Sequence, residues 1–200
     1  MVKEYVFYTL SVTNIFMKTV YSVEAAVRQI IQTEIKELVE YNGAPYIKFL
    51  LLSVAIEFLG ACMDSHAFED DRQSKDRFNK ALKKLFPKKY HKYSKKGAKI
   101  NLFRDFRCGM IHKLRPSNGV RFSERKYHNP GVNEHLLEKD GRLLLVLEDF
   151  YDDLDIACEN LKKLARENKL PTKKLEEEYI RVTETISEEN SDGLTKFIKS

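Results

Sequence analysis

Arginine and histidine side chains concentrate in residues 101–116, the stretch of the chain best equipped for chemistry. At about 100° per residue, a helix would divide this segment into a charged side and an apolar side. The charged side holds Arg104, Arg107, Cys108, Ile111, His112 and Arg115. A guanidinium group binds anions bidentately and keeps its charge at any working pH, and an imidazole transfers protons near neutrality. The pattern therefore indicates anion binding combined with proton transfer.

The apolar side predicts how this helix sits on the rest of the chain. Its residues are Leu102, Phe103, Phe106, Met110 and Leu114, which form a normal core stripe. Ile111, however, lies in the middle of the charged side, where an apolar residue indicates that a second protein surface covers it. An identical helix across a two-fold axis is the simplest such surface. Pro116 predicts that the helix ends before it.

The spacing Arg107-x-x-x-x-His112, within Phe106-Arg-Cys-Gly-Met-Ile-His112, resembles the R-x4–6-H motif of the HEPN superfamily. This resemblance implies a small up-and-down helical bundle that dimerises and places the Arg and His of both chains in one interfacial cleft. Active members cleave RNA without a metal, and many are bacterial toxins or phage-defence proteins. By position, Arg107 and His112 would be the catalytic pair. An antitoxin or a nucleotidyltransferase-like partner would fit the same resemblance.

Metal-independent RNA cleavage gives each of these residues a role. A base must take the 2′-hydroxyl proton, an acid must protonate the leaving 5′-oxygen, and a cation must stabilise the charge that grows on the phosphorus centre. We assign the proton transfers to His112 and the phosphate to Arg107, with Arg104 and Arg115 as auxiliary cations. Arg107 and His112 lie about 140° apart on a regular helix, so two paired helices are needed to complete a site.

The positive charge of the chain is concentrated in its middle. Residues 72–126 contain nineteen Lys and Arg against three acidic residues, a net charge of +16, which leaves −11 for the rest of a chain whose total is +5. Such a segment favours phosphate binding, and we expect Lys88, Lys89, Lys95 and Lys96 to contact RNA. Tyrosines between these lysines suggest rings that stack on unpaired bases.

An alternative function from a different class remains open. Many active HEPN members have Asn or Asp directly after the motif arginine, where this chain has Cys108. That departure favours a non-catalytic HEPN-like module that binds nucleic acid, a nucleotide or a partner protein. Cys108 and His112 are also four residues apart, the spacing of a thiolate–imidazolium pair or of two metal ligands. No third orienting residue or further ligand accompanies them, and we expect no metal and no cofactor.

Composition bounds the rest of the prediction. Two hundred residues, 42% hydrophobic and 32% charged, are typical of one globular domain. We expect a HEPN-like helical domain at 1–170 and a charged C-terminal extension at 171–200. Three scattered cysteines suit a reducing cytoplasm, and neither a signal peptide nor a membrane span is expected.

The predicted fold is mainly α, a four- to five-helix up-and-down bundle with a small β-hairpin. Helices are expected at residues 14–41, 45–64, 74–86, from about 98 to the motif, and at 148–167. The hairpin would pair residues 120–123 with 143–147 and bring the intervening loop, with His128 and His135, towards the cleft. Residues 3–12 suit a strand or a helical turn, and the extension suits a helix at 172–178 and a strand at 179–185.

Overall fold

The computed structural model describes residues 14–117, 119–132, 134–171 and 175–182. These residues are mainly helical with a small three-stranded sheet, which confirms the mainly α class. Residues 14–20 and 176–182 belong to one compact unit, and residues 21–175 form the other. The segment 3–12, for which two structures were left open, lies outside the described residues.

The first unit contains a two-stranded sheet of β1 (Asn14–Tyr21) and β5 (Leu175–Val182). The prediction of one helix over residues 14–41 is therefore wrong for its first eight residues. Ile15, Thr19 and Val20 are β-branched and favour a strand, and β5 supplies a partner that no local pattern reveals. Residues 175–178 belong to the same strand, so the helix predicted at 172–178 does not form there.

Helix α1 covers residues 23–40 as three consecutive segments, with α-helical ends at Val23–Ala26 and Lys36–Glu40 and a π-helical middle at Val27–Ile35. Ser22 caps its start by accepting a hydrogen bond from the Ala25 N–H at 3.1 Å. The inward residues repeat every fourth position: Val27, Ile31, Ile35 and Val39. Such a repeat drifts by about 40° per turn on a regular α-helix, so the wider π turn keeps these residues on one face.

Helix α2 (Pro45–Ala61) confirms the predicted second helix and begins with proline in its first turn. Two charged residues interrupt its apolar sequence, and each has a partner. Lys48 is buried, and its Nζ donates to the carbonyl oxygens of Val39 and Tyr41 at the carboxyl end of α1. Glu57 faces helix α4, described below. Lys48 therefore joins α1 to α2 by satisfying carbonyl groups that the end of a helix leaves unpaired.

Helix α3 (Ser74–Lys84) packs closely on α2. Phe78, Leu82 and the following Leu85 are buried. Arg77 is also buried and forms an ion pair with Asp64 at 2.8 Å, while its other nitrogens donate to carbonyl oxygens of the connector between α2 and α3. This arginine therefore fixes the connector between the two helices.

The turns at Lys88–Ser94 contradict one functional expectation. Tyr90 is 0% exposed and Tyr93 is 2% exposed, so their rings are core residues and cannot stack on bases from this position. The Tyr90 ring contacts Phe86 and Phe150. Aromatic rings are interleaved with lysines here because one side of the segment packs on the core while the ammonium groups reach solvent.

Helix α4 covers residues 103–113, with a π-helical first part at Phe103–Arg107 and an α-helical second part at Cys108–Lys113. It starts later than residue 98. Strand β2 (Val120–Ser123) follows, then β3 (Glu138–Lys139), β4 (Arg142–Val146) and helix α5 (Leu147–Arg166). Helix α5 matches the predicted last helix to within one residue at each end.

The two predicted strands do pair, but they are parallel and do not form a hairpin with each other. Strand β2 runs parallel to β4, with Val120 opposite Leu143 and Ser123 opposite Val146. The hairpin instead joins β3 to β4 through Asp140 and Gly141, both of which have positive φ. Because of this tight turn, β3 pairs with one edge of β4. The connection between β2 and β3 is long, so β2 can pair with the other edge of β4 in the parallel direction.

An aromatic cluster joins the elements around α4. Phe106 of α4 contacts Phe49 of α2, Phe122 of β2 and Phe150 of α5, with ring centroids 6.2, 5.8 and 5.4 Å apart. Phe49 and Phe122 are stacked at 3.8 Å. Buried ring contacts of this kind fix the rotation of a helix about its axis. They determine which side of α4 remains available for chemistry.

Candidate functional site

Side-chain caps explain where the motif helix begins. The Asn101 Oδ1 accepts a hydrogen bond from the Arg104 N–H at 3.0 Å, and the Asp105 Oδ2 accepts one from the Asn101 N–H at 2.8 Å. This reciprocal arrangement satisfies backbone donors that the first turn leaves free. It also explains why the helix does not extend back to Ala98.

The end of the motif helix is also capped. Leu114 has a left-handed conformation with φ of 53°, and the Arg115 N–H donates to the Gly109 carbonyl at 3.4 Å. The prediction that Leu114 belongs to the core stripe is therefore wrong, and its side chain is exposed. Leu102, Phe106 and Met110 are fully buried, whereas Phe103 is half-buried.

The charged side of α4 faces away from the core, as the sequence indicates. Ile111 is 37% exposed, and His112 and Arg115 are exposed. Neither the His112 side chain nor the Arg115 side chain forms a hydrogen bond or an ion pair within the described part of the chain. The imidazole of His112 is thus open to solvent and to any molecule that approaches this face.

Arg107 is held by a residue that the sequence did not identify. Its Nε donates to Glu57 Oε2 of helix α2 at 2.7 Å, and the two side chains are 16% and 19% exposed. The guanidinium carbon lies 5.6 Å from the centre of the Phe103 ring. Among the described residues, its two terminal nitrogens have no hydrogen-bond partner. The pair therefore orients Arg107 and leaves donors for an anion.

An apolar surface lies beside this ion pair. On helix α2, side chains that stay exposed or half-buried share the arc next to Glu57: Ile47, Leu50, Leu51, Val54 and Phe58. Val54, for example, is 47% exposed. Together with Ile111 of α4 they form what we name the α2–α4 face. Apolar side chains rarely gather on a surface that only water contacts.

The predicted RNA-binding lysines differ in their surroundings. Lys88, Lys95 and Lys96 are exposed and have no ion pair within the described residues. Lys89, in contrast, is 2.6 Å from the buried carboxylate of Asp153. Arg104 donates to the Asp105 carboxylate and to the Lys99 carbonyl. Lys89 and Arg104 are therefore partly committed to contacts within the chain.

His128 and His135 bind residues away from α4. The two ring nitrogens of His128 are 2.5 Å from Glu134 and 2.8 Å from Ser123. His135 is buried, accepts a hydrogen bond from the Val146 N–H at 3.0 Å and lies 2.6 Å from the Tyr90 hydroxyl. Burial lowers the pKa of His135 to about 3, and the positive charge of Lys89 is the second cause of this shift. These two histidines act as structural residues of the loop and the core.

The three cysteines are not bonded to one another, and no group of three or more potential metal ligands occurs among residues that the structure describes. Burial raises the pKa of the Cys158 thiol well above its usual value. Cys108 is half-buried and lines a pocket with Arg104 and Lys96. That pocket contains two of the predicted RNA-binding residues, Lys96 and Arg104.

No protein-family model, curated protein or solved structure matches this chain. Within the described residues, no helix combines the length and the apolar character needed to cross a membrane.

Proposed function

We propose that the protein is a metal-independent endoribonuclease with a HEPN-like bundle of four to five helices, and that it acts at the cleft of a homodimer. The observation that supports this most is the arrangement on α4. His112 is open to solvent on the same side of the helix as Arg107, whose guanidinium group is oriented by Glu57. The apolar α2–α4 face next to them is suited to a second copy of the chain.

In the proposed dimer, each chain contributes one imidazole and one guanidinium group. One His112 accepts the proton of the ribose 2′-hydroxyl, whose oxygen attacks the adjacent phosphorus. The other His112 donates a proton to the 5′-oxygen as its bond to phosphorus breaks. The products are a 2′,3′-cyclic phosphate and a 5′-hydroxyl. The terminal nitrogens of Arg107 bind the phosphate oxygens as their charge increases.

The proposed biological role is that of a toxin or phage-defence effector, with an antitoxin or a nucleotidyltransferase-like protein as its partner. This part of the proposal depends on the resemblance of Arg107-x-x-x-x-His112 to the HEPN motif.

The test is cleavage of a mixed RNA pool in the presence of EDTA. We expect His112→Ala to reduce the rate by about 100-fold or more, because proton transfer by a positioned side chain contributes about that much. Its thermal midpoint should equal that of the original protein, since His112 is exposed. Lys113→Ala is the matched control, because Lys113 is its exposed neighbour on α4, and this variant should cleave normally. Undiminished cleavage by His112→Ala would contradict the assignment.

A second candidate is a HEPN-like module without catalytic activity. The Glu57–Arg107 ion pair favours it, because a half-buried pair between two helices also explains Arg107 as a structural residue. Complete absence of RNA cleavage by the original protein, at any pH between 6 and 8, would favour this candidate.

A further inference from the structure

A pocket lies between helix α3, the segment that follows the Lys88–Ser94 turns, and the beginning of α4. Its volume is about 580 Å³, within the range of about 300–1,000 Å³ that is usual for small-molecule sites. Five cationic side chains and one carboxylate line it: Lys75, Lys80, Lys83, Lys96, Arg104 and Asp76. The pocket is thus strongly positive and suited to an anion.

Three of these cations have no partner in the described part of the chain. Lys80 Nζ donates to the Met63 carbonyl, and Arg104 is bonded to Asp105. Lys75, Lys83 and Lys96, however, are exposed and form neither an ion pair nor a hydrogen bond there. Ammonium groups that converge on one pocket repel each other, so an anion carrying two negative charges would be favoured between them. A phosphate monoester has that charge.

Asn79 adds a requirement that the phosphate group of an ester does not meet. It lines the pocket and is only 8% exposed, and its Oδ1 has no hydrogen-bond partner among the described residues. Buried polar atoms almost always have a partner. The amide oxygen is an acceptor, so its missing partner is an N–H or O–H group. The dianion of a phosphate ester has no such group, so the donor belongs to another part of the ligand.

Phe103 supplies an apolar wall. Its half-buried ring lines the pocket and packs against Phe78 at 5.9 Å. An aromatic side chain with a polar acceptor and cations nearby suits a flat, nitrogen-rich ring attached to a phosphorylated sugar.

We propose that this pocket binds a nucleoside phosphate. Lys75, Lys83 and Lys96 bind the phosphate, Asn79 accepts a hydrogen bond from the base or the sugar, and Phe103 contacts the base. The nucleoside phosphate comes from one of two sources, a free nucleotide or one unit of an RNA chain. Binding at this pocket does not require that the protein cleaves RNA.

The neighbours Lys83 and Lys84 allow a matched test. Both are exposed on α3, and only Lys83 lines the pocket. The affinities of the full-length protein for AMP, GMP, CMP, UMP and methyl phosphate, whose dianion has no hydrogen-bond donor, are measured by calorimetry at pH 8. We expect a nucleotide to bind more tightly than methyl phosphate. Lys83→Gln should weaken that binding about tenfold, the usual contribution of a charge-assisted hydrogen bond, and Lys84→Gln should leave it unchanged.

The Asn79→Leu variant tests the nucleoside part of the site. This substitution removes the unpaired acceptor, so the affinity for the nucleotide should fall to that for methyl phosphate while the affinity for methyl phosphate stays the same. The thermal midpoint of this variant should not decrease. A nucleotide that binds no better than methyl phosphate to the original protein would overturn the nucleoside assignment.

A labelled single-stranded RNA of six nucleotides, measured by fluorescence anisotropy with the His112→Ala protein, distinguishes the two sources. RNA binding that depends on Lys83 and not on Lys84, without binding of any mononucleotide, identifies an RNA chain as the source. Equal losses for the two lysine variants would overturn the site in favour of diffuse charge, and so would the absence of binding by all probes. Cleavage is not measured here, so failure of the nuclease proposal is a separate result.

Discussion

His112 and His135 are two histidines in opposite environments. His112 is exposed to solvent on α4. His135 lies inside the domain, where its Nδ1 accepts a hydrogen bond from the Val146 N–H, so the neutral ring carries its proton on Nε2, next to the Tyr90 hydroxyl. The Tyr90 hydroxyl in turn donates to Asp153 at 2.7 Å. Burial therefore keeps the imidazole of His135 neutral, while the imidazole of His112 stays open to solvent.

The buried histidine predicts a pH-dependent stability. The pKa of His135 is about 3 in the folded protein, below the value of about 6.5 expected when unfolded. As pH falls below about 6.5, the unfolded chain binds a proton that the folded chain does not. The contribution of His135 is therefore present above that pH and is lost at up to about 1.4 kcal/mol per pH unit towards pH 3.

Urea denaturation between pH 6.5 and 5 measures this slope, because most carboxyl groups remain charged in that range. His135→Asn is the reference, since asparagine does not titrate. It should be less stable at pH 7 and show a shallower dependence on pH. Equal slopes for the two proteins would show that His135 is already protonated in the folded state.

At the scale of elements, helices α2 and α3 approach each other closely, and α4 packs on this pair. A Cβ placed on Gly60 would lie 1.9 Å from the Arg77 carbonyl oxygen, far inside van der Waals contact. The backbone of α3 thus approaches α2 at a point where only glycine fits. Arg77 itself holds the connector between these helices, so this contact and that ion pair fix the same corner of the fold.

We expect Gly60→Ala to reduce the free energy of unfolding by about 3 kcal/mol, because the added methyl group forces the two helices apart. Chemical denaturation followed by circular dichroism measures the change. Gly119→Ala is the matched control. A Cβ at Gly119 would meet Asp105 at 3.4 Å, an ordinary contact, so its effect should be small. Similar stabilities for the two variants would contradict the close packing of α2 on α3.

At the scale of the whole molecule, charge is balanced by contacts between distant segments. Acidic residues from the C-terminal half neutralise part of the basic middle, as in the pairs Lys89–Asp153, Lys92–Glu138 and Arg125–Asp149. The segment charge of +16 therefore overstates the positive surface. Cations without partners in the described residues remain on α3, in the Lys-rich segment after it and at the end of α4.

The α2–α4 face predicts the oligomeric state. We expect the protein to form a dimer in solution through this face, and Val54→Glu should convert it to a monomer, because a carboxylate at the interface would lose its water without gaining a partner. Light scattering coupled to gel filtration gives the mass. Ile156→Glu on α5 is the control, since Ile156 is 48% exposed, close to the 47% of Val54, but lies outside this face. A monomeric original protein, or dimeric Val54→Glu, would contradict the prediction.

The sequence by itself determined the features that depend on local periodicity. Apolar spacing predicted α2, α3 and α5, and it separated the buried residues Phe106 and Met110 from the exposed His112. The strands expected at 120–123 and 143–147 also form, the second to within one residue at each end. Each of these depends on residues within a few turns of one another, so a local pattern contains the necessary information.

Only the tertiary structure decided which distant residues meet. Glu57 appeared as a lone charge in an apolar helix, and its partner Arg107 lies fifty positions later. The pairing of β1 with β5, the parallel direction of β2, and the burial of Tyr90 likewise depend on neighbours that local periodicity does not specify. Many pairings satisfy the same local pattern, and packing of the whole core selects one of them. The proposed nucleotide pocket is of this second kind, because its residues come from α3, α4 and the segment between them.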